Sequence, residues 1–310
     1  LSEFAYIDWL RRRTACSPRV ALGPGDDTAV LNWPAGVSCL VTTDMLLEGS
    51  CFLLDEAGPR LVGRKALAVN LSDIAAMAGR PVAAVVSVGL PRRGGRALAE
   101  QLYGGLRELA DQFKTDIIGG DTNSWNGPLV INVALLGEPT GRGPVTRAGA
   151  QPGDWLFVTG ALGGSIRGKH LTFTPRVEEA QRLQAWTRLK AMIDISDGLA
   201  ADLQHLCKES GCGALVEEAA VPISPAAEQM NDGRSALDHA LGDGEDFELL
   251  FAVSASDGEA LLREQPLRDL GVTLYRLGEC VPAGLWRVQP NGERKPLEPM
   301  GYVHELDGDP

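Results

Sequence analysis

The sequence is poor in the features that mark several large protein classes. It has no apolar run of the roughly 18 residues that a membrane span needs. Cysteines stand at positions 16, 39, 51, 207, 212 and 280, and none forms a C-x-x-C pair. Cys207 and Cys212 have no matching histidine cluster, which argues against a zinc site or a disulfide framework and leaves reduced thiols in a cytoplasm as the expectation. Histidine occurs only 4 times, and no motif pairs one with a nucleophile. Basic residues are outnumbered, 29 against 41, and the net charge of −12 argues against nucleic acid, whose binders carry basic patches. The first residues, "LSEFAYIDWLRRR", lack a basic region ahead of an apolar core, so no secretory signal is expected.

What is present suits a globular protein: 44% hydrophobic and 23% charged residues over 310 positions, enough for two domains. "CLVTT" reads as a strand ending at Asp44. "RLVGRKALAVNLSDIAAMAG" reads as a buried helix, from apolar residues on a 3–4 spacing. "PVAAVVSVGL" is a continuous β-branched run, the pattern of a central strand. An amphipathic helix through "RALAEQLYGGLRELADQF" and strands at "DIIGG" and "LVINVALLGEP" follow. The Gly- and Pro-dense stretch around residues 139–153 has no apolar period and marks a domain connection, giving domains 1–138 and 139–310. Beyond it come a strand at "WLFVTG", a helix through "DGLAADLQHLCKESG", and strands at "GALVEE", "FELLFAV" and "TLYRLGEC". This alternation predicts an α/β protein in two halves.

Two patterns bear on chemistry. "GGSIRGKH", Gly163 to His170, runs G-x-x-x-x-G-K but puts His170 where a P-loop needs the hydroxyl that holds Mg²⁺. The alternative is a mobile Gly-rich loop whose Arg167 and Lys169 reach a phosphate. The second pattern is five Asp-bearing stretches, each read as a strand or helix running into a polar loop. They are "GPGDDTAV" (Asp26, Asp27), "VTTDML" (Thr42, Thr43, Asp44), "NLSDIAAM" (Asp73), "IIGGDT" (Asp121) and "MIDISDGL" (Asp194, Asp197). A single Asp after a strand is ordinarily a helix cap or a turn residue. Gathered carboxylates repel and need cations, while Arg and Lys are scarce in these stretches. Oxygen-only ligands then point to Mg²⁺ rather than zinc, and the neighbouring glycines allow a phosphate to approach the backbone.

Together with "VTRAGAQPGDWLFVTG" and "GEDFELLF", these words stand in the order found in thiamine-monophosphate kinases, which the chain resembles from about Phe4 to Tyr302. The resemblance implies an N-terminal α/β domain with a mixed sheet that pairs in a homodimer, and a C-terminal α+β domain. It implies ATP bound in a cleft between subunits and domains, and several Mg²⁺ ions. ATP-dependent phosphorylation of thiamine monophosphate to thiamine diphosphate, by direct in-line transfer in the cytoplasm, follows. Asp27, Thr42, Thr43, Asp44, Asp73, Asp121, Asp194 and Asp197 resemble the metal ligands, with Asp44, Asp121 and Asp197 as the catalytic ones. Gly120, Asp121, Arg147 and Ser196 resemble nucleotide contacts. Cys51, Glu245 and Tyr302 stand at positions that resemble substrate contacts. Many relatives carry His where this chain has Cys51, and the segment between Gly164 and Pro175 is shorter than theirs. Two rival readings are another ATP-using enzyme of the same superfamily, which also holds aminoimidazole ribonucleotide synthetase, and a non-catalytic nucleotide or thiamine-diphosphate sensor.

Overall fold

The computed structural model describes residues 3–24, 28–298 and 300–302. Its contacts divide the chain into two compact units, Leu1–Ile74 with Gly79–Pro139, and Ala75–Ala78 with Thr140–Pro310.

The first unit carries α1 (Glu3–Arg11), a short ribbon of β1 (Val20–Leu22) and β2 (Val30–Leu31), and β3 (Leu40–Leu47). Helices α2 (Leu54–Ala57) and α3 (Pro59–Ala76) precede β4 (Gly79–Pro91). Helix α4 (Gly95–Gln112), β5 (Asp116–Trp125) and β6 (Val130–Pro139) complete it. Four strands form a mixed sheet in the order β3-β6-β4-β5, antiparallel except for the β4–β5 pair. A parallel pair needs a crossover, which α4 supplies. Strand alternation puts Leu40, Thr42, Asp44 and Leu46 on one face of β3, in register with Gly137, Leu135, Val133 and Ile131 of β6. Leu40, Leu46, Ile131, Val133 and Leu135 are buried, as are Val62, Leu67, Leu71 and Ile74 of α3. At roughly 1.5–3 kcal/mol for each large apolar side chain, this burial carries the unit.

The second unit contains β7 (Trp155–Val158), α5 (Lys169–Thr172), α6 (Val177–Trp186), β8 (Ala191–Asp194), α7 (Leu199–Ser210) and β9 (Gly213–Glu217). It continues with α8 (Pro225–Glu228), α9 (Ala236–Gly242), β10 (Leu249–Val253), α10 (Ala255–Glu264), β11 (Tyr275–Val281), β12 (Leu285–Val288) and β13 (Arg294–Pro296). Its seven-stranded sheet has the order β13-β12-β9-β11-β7-β10-β8, with β9 and β12 the parallel pair. Leu156, Val158, Ile193, Leu199, Leu203, Leu206, Leu250 and Leu277 belong to one buried cluster. No regular element lies between Pro139 and Trp155. Among the described residues no helix is long and apolar enough to cross a membrane.

Two of the Asp stretches differ from the expected form, a strand running into a polar loop: Asp44 lies inside β3 and Asp121 inside β5, while Asp73 lies within α3, the helix expected over "RLVGRKALAVNLSDIAAMAG". The polar Thr42-Thr43-Asp44 run does not end the strand, because the ladder to β6 continues to Leu47 opposite Val130. Among the described residues of these stretches, only Asp194 and Asp197 occupy a strand end and the loop after it.

Candidate functional site

In the second unit three distant segments converge beyond the end of β8. The chain runs from Asp194 through Ile195, Ser196, Asp197 and Gly198 into α7. The "GEDFEL" segment ahead of β10 lies against it. Glu245 N donates to Ser196 O at 2.7 Å, Phe247 N to Ile195 O at 2.8 Å, and Ile195 N to Glu248 O at 2.8 Å. Tyr302 N donates to Asp197 O at 2.9 Å. Asp194, Ser196, Asp197, Glu245 and Tyr302, assigned from sequence to metal, nucleotide and substrate, are thereby gathered in one place. Glu245 and Phe247 have φ of +62° and +51°. Left-handed backbone costs a side-chain-bearing residue about 1–2 kcal/mol, and such strain concentrates at functional sites. Arg147 is exposed; its carbonyl accepts from Ser210 Oγ at 2.8 Å, and the adjacent Thr146 O accepts from Met192 N beside the start of β8.

Sequence reasoning missed Asp202. It lies in the first turn of α7, buried, and its Oδ2 accepts from Asp197 N at 3.0 Å and Gly198 N at 3.1 Å. Burial, and then the charges of Asp194 and Asp197, push its carboxyl up to about 8, against the pull of those two N–H groups. The signal was present as "SDGLAAD", an Asp one turn into the helix that Gly198 opens.

In the first unit Thr42 Oγ1 donates to Asp73 Oδ2, joining β3 to α3. Thr43 Oγ1 donates to Val133 O at 3.1 Å and accepts from Asn132 Nδ2 at 3.0 Å. Asn132 Nδ2 is also 3.0 Å from Asp44 O and donates to it. Across the sheet Asp44 aligns with Val133, Val86 and Gly120, while Asp121 aligns with Ser87, Asn132 and Met45. Asp121 therefore alternates to the face of Thr43, one residue beyond Asp44. Gly120 has a packing reason of its own, since a Cβ there would stand 1.8 Å from Val86 O. Cys51 sits half-buried in the turn after β3, its Sγ accepting from Leu47 N at 3.4 Å. Its carbonyl accepts from Nζ of the fully buried Lys65 at 2.7 Å, a second residue the sequence did not single out. Asp27 lies outside the described residues.

The ligands fit Mg²⁺ by chemistry: carboxylate and hydroxyl oxygens, with no His and no thiolate among them. Among the described residues no three His, Cys, Asp or Glu side chains converge to hold a metal unaided. A partial oxygen set suits Mg²⁺, which keeps several waters and takes phosphate oxygens as ligands.

"GGSIRGKH" is docked rather than free, and the expectation of a mobile loop with an available Lys169 is corrected. Gly163 N donates to Asp246 Oδ2 at 2.7 Å and Gly164 N to Asp243 Oδ2 at 2.8 Å. Ser165 Oγ donates to Gly244 O at 2.5 Å. Only glycine fits the first two positions: φ is +85° and +70°, and a Cβ would fall 2.7 Å from Ala240 N and 2.6 Å from Ala227 N. The following helix has four residues, and Lys169 Nζ is held at 3.0 Å by Glu248 Oε1. Asp246 is fully buried, which raises its carboxyl to about 6. Lys169 and the Gly163 N–H pull it down, and Glu248 pushes it up.

That shift has a testable sign. The folded state holds the Asp246 proton more tightly than the unfolded chain, whose value is the ordinary 3.8. Its contribution to stability is therefore complete below about pH 4 and lost as pH rises through about 6. Asp246→Asn removes the titration. Urea unfolding at pH 4.5 and pH 7 is expected to show the variant gaining on the wild type across that window, by about 2 kcal/mol. A constant difference at both pH values would contradict it.

Residues 25–138 match the family "AIR synthase related protein, N-terminal domain", and residues 150–288 match "AIR synthase related protein, C-terminal domain". A thiamine-monophosphate kinase of Rhodopirellula baltica is 41% identical over 312 residues, 97% of each chain. The crystal structure of thiamine-monophosphate kinase from Stenotrophomonas maltophilia superposes with a TM-score of 0.81 at 36% identity, covering 94% of this chain and 98% of that one. AaThiL complexed with AMPPCP and TMP superposes with a TM-score of 0.75 at 29% identity, covering 98% of this chain and 97% of that one.

Proposed function

The chain belongs to the thiamine-monophosphate kinase family, within the AIR synthase-related proteins, and is a phosphotransferase; from that premise we propose how its residues carry out the reaction. The γ-phosphoryl group of ATP passes in line to the phosphate of thiamine monophosphate, giving thiamine diphosphate and ADP. The observation that carries this reading is the convergence of Asp194, Ser196 and Asp197 with Glu245 and Tyr302 through backbone hydrogen bonds.

The acceptor is a phosphate monoester with a second pKa near 6, about the value for such groups, so it is largely ionised at neutral pH and needs no strong base. The task is to align two polyanions and offset their charge. Bound Mg²⁺ would supply positive charge to offset that of the phosphate oxygens. In the first unit Asp27, Thr42, Thr43, Asp44, Asp73 and Asp121 are the proposed ligands; Thr42, which fixes the orientation of Asp73, and Asp44 share one face of the sheet and Thr43 and Asp121 the other, so the two groups would hold separate ions. In the second, Asp194 and Asp197 are the proposed ligands. Gly120, Asp121, Arg147 and Ser196 bind the nucleotide. Glu245, Tyr302 and the turn of Cys51 face the substrate. Asp202 acts by holding the Asp197–Gly198 turn through its two accepted N–H groups.

The enzyme works as a cytoplasmic homodimer. Support for pairing through the first unit's sheet is the apolar face of β3, where Val41, Met45 and Leu47 are 67%, 58% and 40% exposed, continued on β4 by Val85 at 37%.

The test is a product assay with ATP, Mg²⁺ and thiamine monophosphate, with EDTA as control. Thiamine diphosphate and ADP in equal, EDTA-sensitive amounts are expected. ADP without thiamine diphosphate would point to a different acceptor, and nucleotide binding without turnover to a sensor.

A further inference from the structure

The second unit buries a set of charges and rings that the roles above leave unused. Glu248 is 2% exposed and is saturated with donors. Its Oε2 accepts from Thr159 Oγ1 and Arg176 Nε, both at 2.8 Å. Its Oε1 accepts from Arg176 Nη2 and Lys169 Nζ, both at 3.0 Å. Lys169 Nζ also lies 3.5 Å from Asp246 Oδ1. Between the two cations, Phe173 stacks on Phe247 with centroids 4.0 Å apart and planes 15° from parallel. The segment from Lys169 to Arg176 thus grips the segment from Asp246 to Glu248 at three successive points, charge, ring and charge.

What it grips is strained. Glu245 and Phe247 both have left-handed backbone, flanking Asp246. Such a conformation persists in side-chain-bearing residues only when the surroundings over-determine it. The backbone bonds to Ile195 and Ser196 fix one side of this segment, and Lys169, Phe173 and Arg176 fix the other. A bidentate Arg–carboxylate pair with a further ammonium on the same carboxylate defines direction as well as distance.

We propose that Lys169, Phe173 and Arg176 form a strap whose role is to hold the Glu245–Phe247 backbone in its strained shape and so present Glu245 to the thiamine moiety. They are positioning residues that act through Glu245 and set affinity for the phosphate acceptor, not for ATP. The inference rests on the reading of Glu245 as a substrate contact.

Arg176→Lys keeps the charge and loses the fork. It is expected to raise KM for thiamine monophosphate about tenfold, the cost of one good hydrogen-bonded contact, while kcat and KM for ATP stay within about twofold. Amide hydrogen exchange over residues 244–248 should accelerate. In the Arg176→Lys, Glu245→Gln double variant the KM increase should be no larger than in Glu245→Gln alone, since a residue acting through another is not additive with it. Lys169→Met, at the more exposed end of the strap, serves the same comparisons if Arg176→Lys fails to fold. Additive effects, a change confined to ATP, or wild-type exchange would each overturn the proposal. If Glu245→Gln alone leaves KM for thiamine monophosphate unchanged, the Glu245 assignment fails. Exchange over 244–248 then still decides whether the strap holds the loop.

Discussion

Asp44→Asn is expected to yield a folded protein whose kcat, at saturating ATP, thiamine monophosphate and Mg²⁺, falls by about 10²–10³. The fold should survive because the framework around residue 44 is backbone and apolar. Its carbonyl takes the amide of Asn132, its strand neighbours pair with β6, and Leu46 packs in the core. Asparagine keeps the shape and the backbone bonds. What it loses is the negative charge that, in the proposed mechanism, would balance a divalent cation next to the transferring phosphoryl group. Removing one such preorganised electrostatic group costs about 3–4 kcal/mol of transition-state stabilisation. The proposed mechanism relies on alignment and charge neutralisation, and it gives no general base a part that could make up the loss. The check is steady-state kinetics over a Mg²⁺ series together with a thermal melt. Wild-type kcat in a folded variant would remove Asp44 from the metal set.

The sequence made the class and much of the site legible because both rest on local signals. The unbroken apolar run of β4 announces a strand buried in the middle of a sheet, and Gly79–Pro91 is one. The helix through "DGLAADLQHLCKESG" was also legible, and α7 runs from Leu199 to Ser210 with Gly198 at its start. Misjudged features were those decided by distant partners. β3 reads as ending at Asp44 because polar residues interrupt it, yet pairing with β6, some ninety positions later, carries it on. "GGSIRGKH" reads as a loose loop because its glycines are visible locally. Its anchors, Asp243, Gly244 and Asp246, lie about eighty residues away. The Lys169–Arg176 strap was hidden for the same reason: no spacing in "KHLTFTPR" shows that its cations close on Glu248.

Val41→Lys with Met45→Lys is expected to convert the protein to monomers without unfolding it. Both side chains point away from the core face of β3, on the side opposite Leu40, Thr42, Asp44 and Leu46, and they are already 67% and 58% exposed in the single chain. Lysine at either position therefore stays solvated in the monomer, and its β-propensity cost is a fraction of the roughly 1 kcal/mol span of that scale. In a homodimer joined through this face the same ammonium groups would be buried without a counter-charge, at several kcal/mol each. A two-fold interface uses one patch twice, so each substitution counts twice. Two substitutions then exceed about 6 kcal/mol, which weakens association by more than about 10⁴. Sedimentation analysis should show a dimer in the wild type and a monomer in the variant over micromolar concentrations, with thermal melts confirming a folded chain. If turnover disappears along with the dimer while residues 42–44 keep their exchange protection, the active site needs both subunits. A variant that stays dimeric would move the interface off this face and leave Val41, Met45 and Leu47 to another partner.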